Sequence, residues 1–319
     1  MHPRRLLASS LVSALAALPL LAGVPAAAAP VEETPVNPAA LERGADPAVP
    51  QVLGSTILDG DRRVDVPAQE LWLLGTTGDD YVVAAYGKRR ARVLRVAPDG
   101  THTTLLPDFT GDLTLSGDGT QLFETRLRDE RSVVKVHDTT TGELLVRRVF
   151  RGYVWILDAD EQRAVVSRLS PSRTFWWHTG TDDTERISKR EGYFADIAHN
   201  LVATLDGDPY DGGCSVLAPL SEPSETVWRS CKHAVTSASP NGKRLATTLI
   251  LADGPNPLVR VHRTGGKLLA RYRAVPGWFG SVTWEDNRSL LMQVHSEKRS
   301  TIARCVLDEC ERASKRVRS

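Results

Sequence analysis

Ser239-Pro240-Asn241-Gly242-Lys243-Arg244-Leu245-Ala246 reads as a tight polar turn running into an apolar strand. The pattern centred on Gly242-Lys243-Arg244-Leu245 recurs along the chain at Asp79-Asp80-Tyr81-Val82, Gly119-Thr120-Gln121-Leu122, Glu161-Gln162-Arg163-Ala164, His199-Asn200-Leu201-Val202 and Asn287-Arg288-Ser289-Leu290. The equivalent apolar anchors Tyr81, Leu122, Ala164, Leu201, Leu245 and Leu290 are separated by 41, 42, 37, 44 and 45 residues. A period in this range that carries only strand signals marks a radial β-propeller, because a four-stranded blade cannot bury both of its faces alone.

Each unit continues into a second hairpin. Val133-Val134-Lys135-Val136-His137 turns through Asp138 to Gly142 into Leu144-Leu145-Val146, and Leu258-Val259-Arg260-Val261 turns through Thr264-Gly265-Gly266 into Leu268-Leu269-Ala270. Alternating apolar and charged residues mark these as half-buried outer strands. The inner strands, such as Leu71-Trp72-Leu73-Leu74 and Val154-Trp155-Ile156-Leu157, are apolar or small on both faces and are expected to line a crowded axis. Six such units predict an all-β, six-bladed propeller. Ser55 to Val64 form a further hairpin without a first-hairpin partner; we read it as an outer strand closing the ring on the last blade, the alternative being seven blades with one partial.

The turn Ser239 to Ala246 is similar to the S-P-D-G-x-x-L-A signature of TolB-like, WD-like propellers; Ser116-Gly117-Asp118-Gly119 is a looser copy, and Trp284-Glu285-Asp286-Asn287 looks like its W-x-x-D variant. The resemblance covers residues 71 to 313 and is strong in two blades. It implies architecture: the motif is a structural turn and brings no catalytic residue with it.

Arg4-Arg5 precede an uncharged, Leu- and Ala-rich run from Leu6 to Ala29, the pattern of a secretory signal cleaved after Ala28. The alternative is an uncleaved anchor. With no cysteine near the cut, a lipoprotein is excluded. Residues 29–50, rich in Pro and Ala, read as a disordered spacer, and 51–319 as a single propeller domain. Loss of Arg4 and Arg5 takes the formal charge from +1 to −1, which gives no global attraction to nucleic acid or an anionic membrane. Four cysteines in an exported chain suit two local disulfides. Antiparallel pairing around Glu222-Pro223 sets Cys214 opposite Cys231, and a tight hairpin sets Cys305 opposite Cys310.

Candidate sites follow from the loops. Lys88-Arg89-Arg90, Arg126, Arg128, Arg131 and Arg173 fall in connections on one face of the ring, and Tyr153, Tyr193, Trp278 and Phe279 fall near the channel mouth. Guanidinium donors and aromatic faces suit sugars, peptides or acidic groups. Asp206, Asp208 and Asp211 in the loop Asp206 to Gly212 are the candidate calcium ligands, although Tyr210 interrupts the alternation and no closing Glu follows. His137, His178 and His262 occupy the same place in three different units and do not converge. Phe175-Trp176-Trp177 reads as blade packing. No G-x-S-x-G or H-E-x-x-H motif is present, so no catalytic residue is nominated and no cofactor beyond the candidate calcium. These readings describe a monomeric, exported binding or scaffolding module in the cell envelope or outside the cell. Its partner would be a protein segment or an anionic envelope polymer. The alternative is a propeller-type hydrolase or lyase with a carboxylate or calcium site at the channel mouth.

Overall fold

The computed structural model describes residues 30–318. The expected signal, residues 1–28, lies outside them. The chain begins with β1 (Glu33–Val36) and a sheet of three short strands, β2 (Gln51–Leu53), β3 (Thr56–Asp59) and β4 (Arg62–Asp65). Six sheets of antiparallel strands follow. Blade 1 contains β5 (Glu70–Thr77), β6 (Asp80–Tyr86), β7 (Ala91–Val96) and β8 (His102–Leu106); blade 2 contains β9 (Asp112–Leu115), β10 (Gln121–Arg128), β11 (Arg131–Asp138) and β12 (Leu144–Arg151). Blade 3 contains β13 (Val154–Ala159), β14 (Arg163–Arg168), β15 (Arg173–His178) and β16 (Thr184–Ser188); blade 4 contains β17 (Glu191–Asp196), β18 (Leu201–Leu205), β19 (Ser215–Pro219) and β20 (Trp228–Ser230). Blade 5 contains β21 (His233–Ala238), β22 (Arg244–Leu249), β23 (Leu258–Arg263) and β24 (Leu268–Ala274). Blade 6 contains β25 (Trp278–Trp284), β26 (Leu290–His295), β27 (Arg299–Val306) and β28 (Glu309–Arg312), with β29 (Val317–Arg318) prolonging its outer edge along β27.

The apolar core lies between the sheets. Along β6 the alternation of period 2 sends Tyr81, Val83 and Ala85 to one side and Val82 and Ala84 to the other, and all five are buried. The first set packs on Ile57 and Val64 of the three-stranded sheet, the second on Leu122 of blade 2. On its other face the three-stranded sheet sets Leu53 and Leu58 against Leu291 and Ile302 of blade 6. The three-stranded sheet is therefore a blade, and the ring has seven blades, not six. The hairpin containing Ser55 to Val64 does not extend the last blade as an outer strand, because both of its faces are claimed by neighbours. Its outermost strand β4 leads directly into the inner strand β5, as the fourth strand of each of blades 1 to 5 leads into the inner strand of the next.

The stretch expected to be a spacer forms a strap. β1 pairs in parallel with the outer edge of β24, with Val36 wholly buried among Tyr272 and Ala274. Farther along, Gly44 N–H donates to Arg312 O, laying the strap on blade 6 before it enters the closing blade. Arg304 fastens it there: Nη1 donates to Ala45 O at 3.2 Å and Nη2 to Asp46 O at 3.0 Å, while its guanidinium also bonds Glu285 and Glu311. Glu285 in turn accepts from Ala48 N–H at 2.7 Å. Both expected disulfides are present, Cys214–Cys231 and Cys305–Cys310, the latter joining residues directly opposite in the β27–β28 pair.

Blades 4 and 5 meet at a ring stack in which Trp228 and His233 both lie against His262, with centroids 4.9 and 5.2 Å away. Burial pulls the His233 and His262 imidazoles down to about 4, assisted by Arg260 and Arg271.

Two measurements follow. Arg304→Met leaves Glu285 without its cation inside the packed junction, so it should cost roughly 3 kcal/mol in urea unfolding, the scale of a broken buried pair. It should also expose residues 43–48 to limited proteolysis; a stable, protease-resistant variant would refute the role of this network. The second concerns pH. His233 and His262 are neutral in the fold, whereas an unfolded chain protonates near 6.5. Their contribution is complete above about pH 6.5 and is lost as pH falls toward 4. Asp158, raised to about 6 by burial, opposes this over part of the range, because its protonation favours the fold as pH falls through 6. With two histidines against one carboxylate, the urea midpoint should drop between pH 7 and 4.5, and His233→Gln should reduce that drop; a flat profile would contradict the assignment.

Candidate functional site

The blade-to-blade connections and the turns between second and third strands share one side of the ring, here called the entry face. At its centre the inner strands begin with Glu70, Asp112, Glu191, His233 and Trp278. Two glycines permit the close approaches that set these starts. A Cβ on Gly111 would lie 1.9 Å from Thr125 O, so only glycine lets the connection lead Asp112 against β10. Gly277, at φ +119°, would meet His295 O at 1.7 Å, and this approach brings Trp278 flat onto His295, with centroids 5.5 Å apart and planes at 18°.

An aromatic strip crosses the inner ends of blades 1 to 3. Trp72 is 56 % exposed, in contrast to the crowded axis expected of its strand. Its Nε1–H donates to Glu70 Oε1 at 2.7 Å and its ring lies 5.6 Å from Tyr86. Tyr153 O–H donates to Asp112 Oδ2 at 3.3 Å, and its ring lies 5.2 Å from Trp155. Burial raises both the Tyr86 and Tyr153 phenols, with Glu70 and Asp112 adding to Tyr86 and Asp112 to Tyr153.

Cationic side chains flank these aromatics along the chain, Lys88 to Arg90 after Tyr86 and Arg151 before Tyr153. Lys88, Arg89 and Arg90 are exposed in the β6–β7 turn. Arg131 is exposed beside a groove of about 530 Å³ lined by Asp129, Glu130, Arg131, Val149 and Arg151. Asp129 and Glu130 turn the chain there with φ of 50° and 59°, and Glu130 O is fixed by Gly152 N–H. Arg128 is exposed, with Asp129 3.8 Å away. Arg173 lies over Phe175 at 4.8 Å, with its Nε buried and without a hydrogen-bond partner among the described residues. Arg168 is held below the usual arginine range by burial and by Arg173 and Arg151 nearby. Among the described residues, none of Arg131, Arg151, Arg168 and Arg173 forms an ion pair.

Other candidates have structural partners. Arg126 is drawn onto buried Glu124, which Lys135 also approaches. Tyr193 lies between blades 4 and 5, its hydroxyl bonded to Ser215 Oγ and accepting from Val235 N–H at 3.1 Å. Phe279 is buried in the core between blades 5 and 6. Asp206 accepts from Cys214 N–H at 2.7 Å and from Arg229 Nε at 2.9 Å, and these contacts hold its carboxyl low. Asp208 caps the short 3-10 helix Pro209–Asp211 by accepting from Tyr210 N–H. Among the described residues no group of three or more His, Cys, Asp or Glu side chains is arranged to hold a metal. His137 contacts Gly142 O and His262 contacts Thr247 Oγ1, in separate blades. Trp176 and Trp177 face opposite ways into two different inter-blade cores.

Sequence reasoning missed Arg151, Arg168, Glu70, Trp72 and Asp112 as members of the site. The repeat carried a signal for two of them, since Glu70 and Asp112 stand 42 residues apart at the same blade position.

No protein-family model and no curated protein matches the chain. Solved structures do resemble it. A hydrazine synthase of Kuenenia stuttgartiensis aligns over 71 % of this chain and 73 % of its own, with 16 % identity and a TM-score of 0.50. An oligogalacturonate lyase in complex with manganese aligns over 72 % and 74 %, with 12 % identity and a TM-score of 0.54. TolB from Acinetobacter baumannii aligns over 72 % and 61 %, with 14 % identity and a TM-score of 0.49. The likeness supports the propeller fold and extends across differently named proteins without singling out the TolB type.

Proposed function

We propose that this chain is an exported binding or scaffolding module, acting in the cell envelope or outside the cell, whose entry face takes a ligand presenting anionic groups. A protein segment or an anionic envelope polymer fits that description. The observation that carries the reading is the set of guanidinium groups at Arg151, Arg168 and Arg173, flanked by Arg131 and unmatched by carboxylate partners among the described residues. Guanidinium groups held close together repel one another, and an arriving carboxylate, sulfate or phosphate relieves that repulsion while accepting paired N–H bonds. The secretory pattern of residues 1–28 and the two disulfides support export.

A second reading is an acidic-polysaccharide lyase or hydrolase. Its support is the shared fold of the manganese-bound oligogalacturonate lyase, whose named substrate is itself anionic. The two readings part on turnover. Titrating the protein with polygalacturonate and with a polyglutamate peptide at low and high salt should give salt-sensitive binding that Arg151→Gln/Arg168→Gln/Arg173→Gln weakens at least tenfold, without lowering the unfolding midpoint. Binding unaffected by the triple substitution would remove the arginine set from the site. Shortening of the polymer, with or without added manganese, would move the assignment to an enzyme.

A further inference from the structure

We propose a second site on the entry face, formed by Glu70, Trp72, Tyr86, Asp112, Tyr153 and Trp155, that receives a lysine side chain of a partner polypeptide. Glu70 and Asp112 begin adjacent inner strands and are both exposed, and neither pairs with a cation among the described residues. Each carboxylate is steered by an aromatic neighbour, Glu70 by the Trp72 indole N–H and Asp112 by the Tyr153 hydroxyl. Each of these bonds occupies one acceptor position and leaves the remaining lone pairs for an incoming donor. The two halves are joined through Tyr86, whose ring packs 5.6 Å from Trp72 on one side and 5.6 Å from Phe109, in the connection leading to Asp112, on the other.

The chemistry selects an ammonium group. A bare metal ion would need several oxygen ligands, and the strip offers aromatic faces in their place. A π face attracts a cation through its quadrupole, and a carboxylate adds charge-assisted hydrogen bonds to N–H donors. Trp72, which is exposed, and Tyr153, 37 % exposed, supply apolar surface that a four-carbon stem would cover. A polypeptide is the fitting source because the strip passes into the anion site along the chain itself: Tyr153 stands two residues from Arg151. A segment with a lysine in the strip would carry neighbouring acidic residues onto the arginines. The lysine site rests on its own residues; only this last registration draws on the proposed function.

The test is the Trp72 indole N–H resonance, assigned with Trp72→Phe, during titration with the capped peptide Ala-Ala-Lys-Ala-Ala and with its norleucine and Nε-acetyl-lysine counterparts. The lysine peptide should shift the resonance in a saturable, salt-sensitive way, and Glu70→Gln/Asp112→Asn should weaken the response at least tenfold while leaving the fold intact by circular dichroism. The uncharged counterparts should produce no saturable shift. An equal response to norleucine, an unchanged response in the double variant, or no shift at tens of millimolar peptide would each overturn the proposal. The Arg151→Gln/Arg168→Gln/Arg173→Gln variant should retain the lysine response, so failure of the anion site and failure of this one are told apart.

Discussion

Every sheet in this ring is apolar on both faces, and the rest of the architecture follows from that constraint. Seven clusters of buried side chains occupy the seven junctions between neighbouring blades, from the closing blade and blade 1 around to blade 6 and the closing blade. A single blade would expose half of its apolar surface to water, and an open row would leave two such faces at its ends. Closure removes both. Here it relies on three short strands near the start of the chain, wedged between the first and last full blades by Ile57 and Val64 on one side and Leu53 and Leu58 on the other. The strap reinforces that junction by adding β1 to the outer edge of blade 5 and running along blade 6. Arg304 is therefore sited where closure most needs support: it joins strap, Glu285 and Glu311 at one point.

The blades were legible in the sequence because their signals are local. A turn that needs Gly or Asn, followed by strict alternation, can be read from a few residues, and both disulfides could be placed because hairpin register decides which cysteines face one another. The closing blade was visible only as a hairpin. Its strands are three and four residues long, and what makes them a blade is the pair of neighbours on either side, which no local pattern encodes. The strap was harder still. Its Pro and Ala content gives no periodicity, and β1 is held by parallel pairing with residues some 240 positions away, Glu33 opposite Arg271 and Val36 opposite Ala274. Composition alone reads such a segment as a spacer.

The charged surface shows the same limit. Arg126 and Arg131 are alike on the page, yet one is drawn onto buried Glu124 and the other borders an open groove. Asp206 looks like a ligand for a cation until Arg229 and the Cys214 N–H are seen to occupy it. Whether an ionisable group is available to a ligand depends on its partner in space, so a loop reading gathers open groups together with groups that are already partnered. Tyr193 and Tyr153 make the point for aromatics: both stand near the start of an inner strand, and one is a tie between blades while the other opens to solvent.

On the entry face some charges are paired, Arg126 with Glu124 and Arg128 with Asp129, while Arg151 and Asp112 form no ion pair among the described residues. Arg151 and Asp112 belong to the same blade, and Tyr153, two residues beyond Arg151, bonds Asp112 directly. Gly111 lets Asp112 be drawn inward against β10, the turn at Asp129 and Glu130 is fixed to Gly152, and the Phe175 ring holds Arg173. The left-handed φ of Asp129 and Glu130 is a conformation that side-chain-bearing residues adopt at a cost of about 1 kcal/mol or more each. Strain of this kind persists where surrounding contacts over-determine it, and in this ring it stands beside the groove rather than in a junction between blades. The junctions keep the ring closed through apolar packing.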